Sequence, residues 1–273
     1  MIQHTILDSL DPEIGEHLVT RRAAITRGAS LSAVAATGLR MASVPLALAG
    51  LARDAYGQSA LPSAVVTVLN FALTLEYLES EFYVRGVGTP GLIPAADQQI
   101  FNTIRAHEVE HVAFLEGVLG SAKIARPTFD FTAGNGSNAG PYADVFTNYG
   151  TFIAVAQAFE DTGVRAYKGQ APALRPYGAF LSAALTIHSV EARHAAEVRR
   201  LRGNFSEMAP HKGWITGNTT DIPGTAATYA GEQNTVQGGV DVTAFGSIDA
   251  ASEAFDEPLT TAQVLSIVDP FIV

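Results

Sequence analysis

Two Glu-x-x-His motifs constrain the fold of this chain more than any other feature. Glu108 with His111, and Glu191 with His194, each lie within a long segment whose apolar residues recur with helical spacing. Residues three apart lie on one face of a helix, so each motif presents a carboxylate and an imidazole in the same direction. With 15 glutamates and seven histidines in 273 residues, chance predicts about 0.4 such pairs. Two copies on two helices therefore indicate a shared site.

Helical periodicity predicts four long helices, at about 63–84, 95–119, 151–168 and 177–201. The links within the first pair and within the second pair are short and contain glycine or proline. The link from about 120 to 150 is long and rich in glycine and asparagine. The sequence therefore predicts an all-α fold of two helical hairpins joined by one long crossover.

Acidic residues also interrupt the apolar stripes of the first and third helices. Glu76 shares its stripe with Leu73, and Glu160 shares its stripe with Val164. Four buried carboxylates would repel one another and would tend to protonate. Two divalent cations would balance their charge, and neutral imidazoles would complete the coordination. The chain has no cysteine, so its metal ligands are oxygen and imidazole, which favours iron, manganese or zinc.

This pattern resembles the di-iron and di-manganese carboxylate proteins of the ferritin-like superfamily, in which two helices supply glutamates and two supply Glu-x-x-His. The ligand order and spacing resemble those of bacterioferritin-type proteins. The segments LTLEYLE at 73–79 and AFDEPL at 254–259 resemble an exported ferritin-like-domain family that includes plant desiccation-related proteins. The resemblance implies a ferritin-like four-helix bundle with a long crossover between its second and third helices.

The resemblance also implies two bound iron or manganese ions and a set of six ligands. These ligands are Glu76, Glu108, His111, Glu160, Glu191 and His194. Glu108 and Glu191 would bridge the two ions. Tyr83 follows Glu76 by seven residues, as a tyrosine does in ferritins, and is a candidate catalytic residue. An ordinary core tyrosine and a hydrogen-bond donor to a ligand are the alternatives.

Several other polar residues near the motifs have more than one interpretation. His188 is a hydrogen-bonded histidine near the core, a neighbour of the ligands or a substitute ligand. The role of His107 is also left open. Asp161 faces away from Glu160 on the helix and is not counted as a ligand. Four further glutamates are expected at the surface or beside the ligands: Glu79, Glu81, Glu110 and Glu116.

The N-terminal segment resembles a twin-arginine (Tat) export signal. Arg21 and Arg22 precede a weakly apolar stretch at about 29–52, and the preferred cleavage site is at 55–57. No uninterrupted stretch of about 18 apolar residues exists to anchor the mature chain in a bilayer. An uncleaved amphipathic helix is the alternative.

The expected domains are an export signal (1–57), the ferritin-like bundle (58–203) and a C-terminal extension packed on it (204–273). The protein is expected to be periplasmic or extracellular.

The sequence predicts one short helix in the C-terminal extension. Residues 203–255 are rich in glycine, threonine and asparagine, and suggest an ordered wrap or short strands. Thr260 and Gln263 predict the capping box of a short last helix, flanked by a hydrophobic staple of Leu259 and Val264. Pro270 would stop this helix.

These features favour redox chemistry, and the composition narrows the choice of partners. A formal charge of −10 argues against nucleic acid and against anionic membrane surfaces. The expected partners are metal ions and dioxygen or peroxide, with ferroxidase-like or manganese-catalase-like activity. The alternative is a metal-binding, storage or stress-protective structural protein without turnover. The crossover and the extension would crowd a shell, so a storage cage is disfavoured and a smaller homo-oligomer is left open.

Overall fold

Four long helices, arranged as two hairpins, form the core of the computed structural model, which describes residues 61–203 and 212–273. The helices are α1 (Ser63–Gly88), α2 (Gln98–Leu119), α3 (Tyr149–Leu174) and α4 (Gly178–Arg202). α1 packs on α2, α3 packs on α4, and α1 also packs on α3. The predicted four-helix bundle with a long second link is confirmed.

The predicted export signal at 1–57 lies outside the described residues. Among the helices of 61–203 and 212–273, none is both long and apolar enough to cross a membrane.

Two helices extend further than their apolar periodicity predicts. α1 continues to Gly88, and Gly86 in its last turn packs against the Phe152 ring with no room for a Cβ atom. α3 continues through Pro172, although we expected the helix to end near Gly169. A proline close to a C-terminus removes only one backbone hydrogen bond of the helix. Gly169 serves a different purpose, since a Cβ atom there would overlap the carbonyl group of Leu259.

The extension contains short elements followed by the predicted last helix. They are β1 (Val236–Gln237), β2 (Val240–Asp241), α5 (Ile248–Glu253) and α6 (Thr261–Val268). The capping box is confirmed: the Thr260 hydroxyl accepts the Gln263 N–H, and the Gln263 side chain accepts the Thr260 N–H at 2.8 Å. Leu259 and Val264 are both buried, as the staple requires.

The C-terminus pairs with the long crossover between α2 and α3. The Val273 N–H donates to the Thr128 carbonyl, and the Asp130 N–H donates to the Phe271 carbonyl, each at 2.9 Å. The C-terminal residues and the crossover thus satisfy some of each other's backbone hydrogen-bonding groups. The crossover is thereby held in place over the bundle.

Buried arginines attach the extension to the bundle. Arg165 of α3 forms an ion pair with Glu232 at 2.8 Å and donates to the carbonyl groups of Ala230 and Glu257, both at 2.7 Å. A buried guanidinium needs this full set of acceptors, because an unpaired buried charge is strongly destabilising. The extension therefore forms part of the folded domain and covers the outer side of α3.

Candidate metal centre

Six buried ionisable side chains meet in the middle of the bundle. Each of the four helices supplies one glutamate, and α2 and α4 each add a histidine one turn further along. They are Glu76, Glu108, His111, Glu160, Glu191 and His194, all at most 5% exposed. The structure thus brings together every residue that the sequence predicts as a ligand.

The six side chains form two overlapping groups of four. Glu76 and His111 belong to the first group, Glu160 and His194 belong to the second, and Glu108 and Glu191 belong to both. Within each group, the potential ligand atoms all lie within 4.8 Å of one another. Two groups that share two carboxylates could hold two cations close together.

Each histidine directs its Nδ1 atom toward three carboxylates. His111 Nδ1 lies 3.0 Å from Glu191, 3.2 Å from Glu76 and 3.3 Å from Glu108. His194 Nδ1 lies 2.8 Å from Glu108, 3.4 Å from Glu160 and 3.7 Å from Glu191. One N–H can donate well to only one of three oxygens. A cation shared with the carboxylates would use all of them.

The hydrogen-bond pattern provides a test of whether cations fit here. Five polar atoms of the second group have no hydrogen-bond partner within the described chain: Glu108 Oε1, Glu160 Oε2, both Glu191 oxygens and His194 Nδ1. The short nitrogen–oxygen distances at His194 therefore lack hydrogen-bond directionality. A buried polar atom left unpaired costs about 1–3 kcal/mol. Oxygen and imidazole ligands around such atoms fit divalent iron or manganese.

Two tyrosines bond to the outer carboxylates in a crosswise manner. The Tyr83 hydroxyl of α1 donates to Glu160 of α3 at 2.5 Å, and the Tyr167 hydroxyl of α3 donates to Glu76 of α1. Tyr83 therefore contacts the third-helix glutamate rather than Glu76, its neighbour in sequence. The prediction overlooked Tyr167 as a site residue, although it follows Glu160 by the same seven positions.

The family model of the ferritin-like domain matches residues 64–204. This chain belongs to the ferritin-like domain family. The match spans all four helices of the bundle and every residue of the candidate centre. A comparison with curated proteins finds no match.

Burial and neighbouring charges shift the pKa values of the glutamates and histidines in the centre of this ferritin-like domain. Burial raises the pKa of Glu76 to about 8, even though His111 beside it lowers that pKa. The pKa of Glu160 is likewise raised by burial. Burial disfavours the charged form of the histidines, but Glu76 and Glu160 outweigh it and raise the pKa values of His111 and His194. The cation-free centre thus offsets part of its negative charge by holding protons.

A fifth buried carboxyl group lies beside this centre. Glu79 is 3% exposed, and burial together with the charges of Glu191 and Glu160 raises its pKa well above the ordinary value. Gly163 of α3 leaves space for it, since a Cβ atom there would lie 3.3 Å from Glu79 Oε1. Of the two positions predicted for Glu79, at the surface or beside the ligands, the structure shows the second. α1 is buried on most of its circumference, so residues outside the apolar stripe that carries Glu76 are buried as well.

The two uncertain histidines differ in their placement. His107 bonds to His194, at 2.9 Å between His107 Nδ1 and His194 Nε2. His188 is half-buried and belongs to neither ligand group found among the described residues. Its interpretation as a substitute ligand therefore gains no support from this geometry.

Proposed function

We propose that this ferritin-like domain is an exported dinuclear carboxylate protein that holds two iron or manganese ions and reacts with ferrous iron, dioxygen or peroxide. The observation that carries the proposal is the overlap of two buried ligand groups through Glu108 and Glu191. Glu76 with His111 would hold one ion, and Glu160 with His194 would hold the other. A bound pair of this kind supplies Lewis acidity and redox equivalents.

Hydrogen bonds within the chain orient the outer glutamates of this centre. Tyr83 and Tyr167 each occupy one oxygen of an outer glutamate, which leaves the second oxygen directed toward the ligand group. The buried surroundings exclude bulk water, so the charges of the glutamates are weakly screened. The tyrosines therefore act first as hydrogen-bond donors that orient Glu160 and Glu76. A catalytic role of Tyr83 remains a prediction.

The position of the extension argues against assembly into a storage cage. It contacts α3 through Arg165 and through Asp161, which accepts the Tyr229 hydroxyl at 2.8 Å. It contacts α4 through the ion pair of Arg202 with Asp221 at 2.6 Å. Bundles that assemble into shells use their outer helix faces for contacts between subunits. Here part of those faces is covered by the chain itself.

Metal analysis and two assays test the proposal. Protein purified from its own cells should contain two iron or manganese ions per chain, and should oxidise ferrous iron or disproportionate peroxide. Two ions without either reaction would favour the metal-binding or structural alternative. Fewer than two ions, in both native and reconstituted protein, would contradict the proposed centre.

The thermal stability of the cation-free protein should fall as the pH rises. The folded-state pKa of Glu76, about 8, exceeds its ordinary value of 4.5, so the folded protein holds an extra proton between these values. The raised pKa values of His111 and His194 act in the same direction. Glu108, whose pKa is lowered, opposes this trend only as the pH falls below about 4.5. We expect the melting temperature to fall by several degrees from pH 5 to pH 8.

Saturating Mn²⁺ should reverse this trend, because cations replace the protons. At 100 times its dissociation constant, a ligand adds about 2.7 kcal/mol to the free energy of unfolding. Calorimetry at pH 5, 6, 7 and 8, with and without Mn²⁺, measures both effects. A cation-free protein with a pH-independent melting temperature, or one unaffected by Mn²⁺ at pH 8, would show that the centre is not coupled to folding.

Removing either tyrosine hydroxyl should weaken cation binding in one half of the centre. Tyr83→Phe leaves Glu160 Oε1 without its donor, and Tyr167→Phe does the same to Glu76. Loss of a hydrogen bond to a ligand typically reduces metal affinity about 10- to 100-fold. Mn²⁺ titration should show one weakened and one unchanged ion for each variant. Tyr77→Phe, which removes a bond to the outlying Glu116, is the control and should change neither.

The export part of the proposal rests on the N-terminal sequence. Arg21 and Arg22 precede the weakly apolar stretch at 29–52, as in Tat signals, which carry proteins that fold before export. Replacing both arginines by lysine should retain the precursor in the cytoplasm, as measured by cell fractionation. Arg27→Lys is the control and should be exported. Unchanged export of the double variant would remove the Tat assignment but leave the metal centre standing.

A further inference from the structure

His107 connects one half of the centre to the periphery of the bundle. It precedes Glu108 on α2, is half-buried, and belongs to neither ligand group of the described residues. Its Nδ1 atom lies 2.9 Å from Nε2 of His194, and the two ring planes are within 13° of parallel with centroids 5.2 Å apart, as an edge-to-edge hydrogen bond requires. His194 therefore contacts carboxylates through one ring nitrogen and His107 through the other.

This contact determines which nitrogen of His194 can bind a cation. A cation ligand must carry no proton, so His194 Nδ1, which faces Glu108 and Glu160, must be the bare nitrogen. The ring proton then lies on Nε2 and needs an acceptor. His107 Nδ1 provides that acceptor when the His107 proton is on Nε2. The hydrogen bond between the two rings thus selects the tautomer that binds a cation.

Among residues 61–203 and 212–273, the other half of the centre shows no equivalent contact. The two halves otherwise repeat: a glutamate, a crosswise tyrosine and a Glu-x-x-His histidine occur in each. By the alignment of the motifs, the position of His107 corresponds to Val190, which directly precedes Glu191. A valine side chain cannot accept a hydrogen bond. The chain therefore builds two similar ligand sets with different surroundings.

We propose that His107 is a positioning residue that makes the two cation sites unequal, so that the half formed by Glu160 and His194 binds first and more tightly. This inference rests on the proposed dinuclear centre. A ligand orientation fixed before binding lowers the cost of ordering the site. The half formed by Glu76 and His111 would then fill in a second, weaker step.

Titration of cation-free protein with Co²⁺ tests the inference, followed by calorimetry and by the visible absorption of the bound ion. Wild-type protein should bind two ions in two resolved steps. His107→Leu removes the acceptor and should weaken the tighter step about 10- to 100-fold without changing the other. His107→Ala is measured beside it, because it cannot strain the packing. His107→Asn, whose carbonyl oxygen can replace Nδ1 as the acceptor, should recover most of the affinity.

Two further comparisons assign the effect to one half of the centre. In a Glu76→Gln background, His107→Leu should still weaken the remaining tight step, whereas in a Glu160→Gln background it should have little effect. His188→Leu, on α4 and outside both ligand groups of the described chain, is the control and should leave both steps unchanged. The melting temperatures of the cation-free variants should match, which separates positioning from a general loss of structure.

The outcomes separate this inference from the proposed function. Identical two-step binding by wild type, His107→Leu and His107→Ala would overturn the inference, while two bound ions would still support the dinuclear centre. Equal weakening of both steps would also overturn it. A wild-type protein that binds no Co²⁺, Mn²⁺ or Fe²⁺ would contradict the proposed function itself.

Discussion

Glu191→Gln is expected to reduce cation binding from two ions per chain to one or none. Glu191 belongs to both ligand groups, and both of its oxygens are buried without a hydrogen-bond partner in the described structure. The amide keeps the volume of the side chain but loses the negative charge and one oxygen. Since neighbours that only orient ligands change metal affinity by about 10- to 100-fold, loss of a shared ligand should cost at least about 100-fold.

Equilibrium dialysis of cation-free protein against Mn²⁺ measures this loss. Glu197→Gln is the matched control, because Glu197 lies on the same helix but at the periphery, where it pairs with Arg200. The control should bind two ions with unchanged affinity. Retention of two tightly bound ions by Glu191→Gln would mean that Glu191 does not bridge the pair.

Asp161→Ala is expected to cause the largest loss of folding stability. Asp161 and Arg199 form a buried bidentate ion pair, and both side chains are at most 2% exposed. Tyr229 of the extension donates to the same carboxylate at 2.8 Å. Removing Asp161 leaves a buried guanidinium unpaired, which costs about 3–5 kcal/mol. For a chain of this size, that corresponds to a melting temperature lower by about 10 °C.

Two companion variants make this prediction specific. Glu197→Ala breaks the exposed pair with Arg200 on the same helix and should cost at most about 1 kcal/mol. The double variant Asp161→Leu/Arg199→Met removes both buried charges, so it should recover much of the stability that Asp161→Ala loses. Urea denaturation of the cation-free proteins measures all three. Equal losses for the buried and the exposed pair would contradict the assigned role of Asp161.

Helical geometry predicts which face of α3 Asp161 occupies, but not the residue that it contacts. Its position next to Glu160 places it on another face of α3, where it pairs with Arg199 and belongs to neither ligand group of the described residues. The same reasoning cannot identify its partner. Arg199 lies on α4 and Tyr229 lies in the extension, and no local pattern connects them to Asp161.

The sequence alone determined the features that depend on spacing within one helix. Glu108 with His111, and Glu191 with His194, share a helix face because residues three apart always do. Glu76 and Glu160 could be recognised because a charge on an apolar stripe must face the core. The capping box of Thr260 is equally local. These periodicities predicted four helices, one long crossover and six convergent side chains.

Which helices exchange contacts depends on how the bundle packs. Tyr83 bonds to Glu160 rather than to Glu76 because α1 and α3 lie side by side, so a hydroxyl two turns along one helix reaches the carboxylate of the other. Burial of Glu79 and the contact of His107 with His194 likewise depend on how closely the helices approach. Hydrophobic periodicity specifies the face that a residue occupies. The partner across that face is set by the packing of the whole bundle.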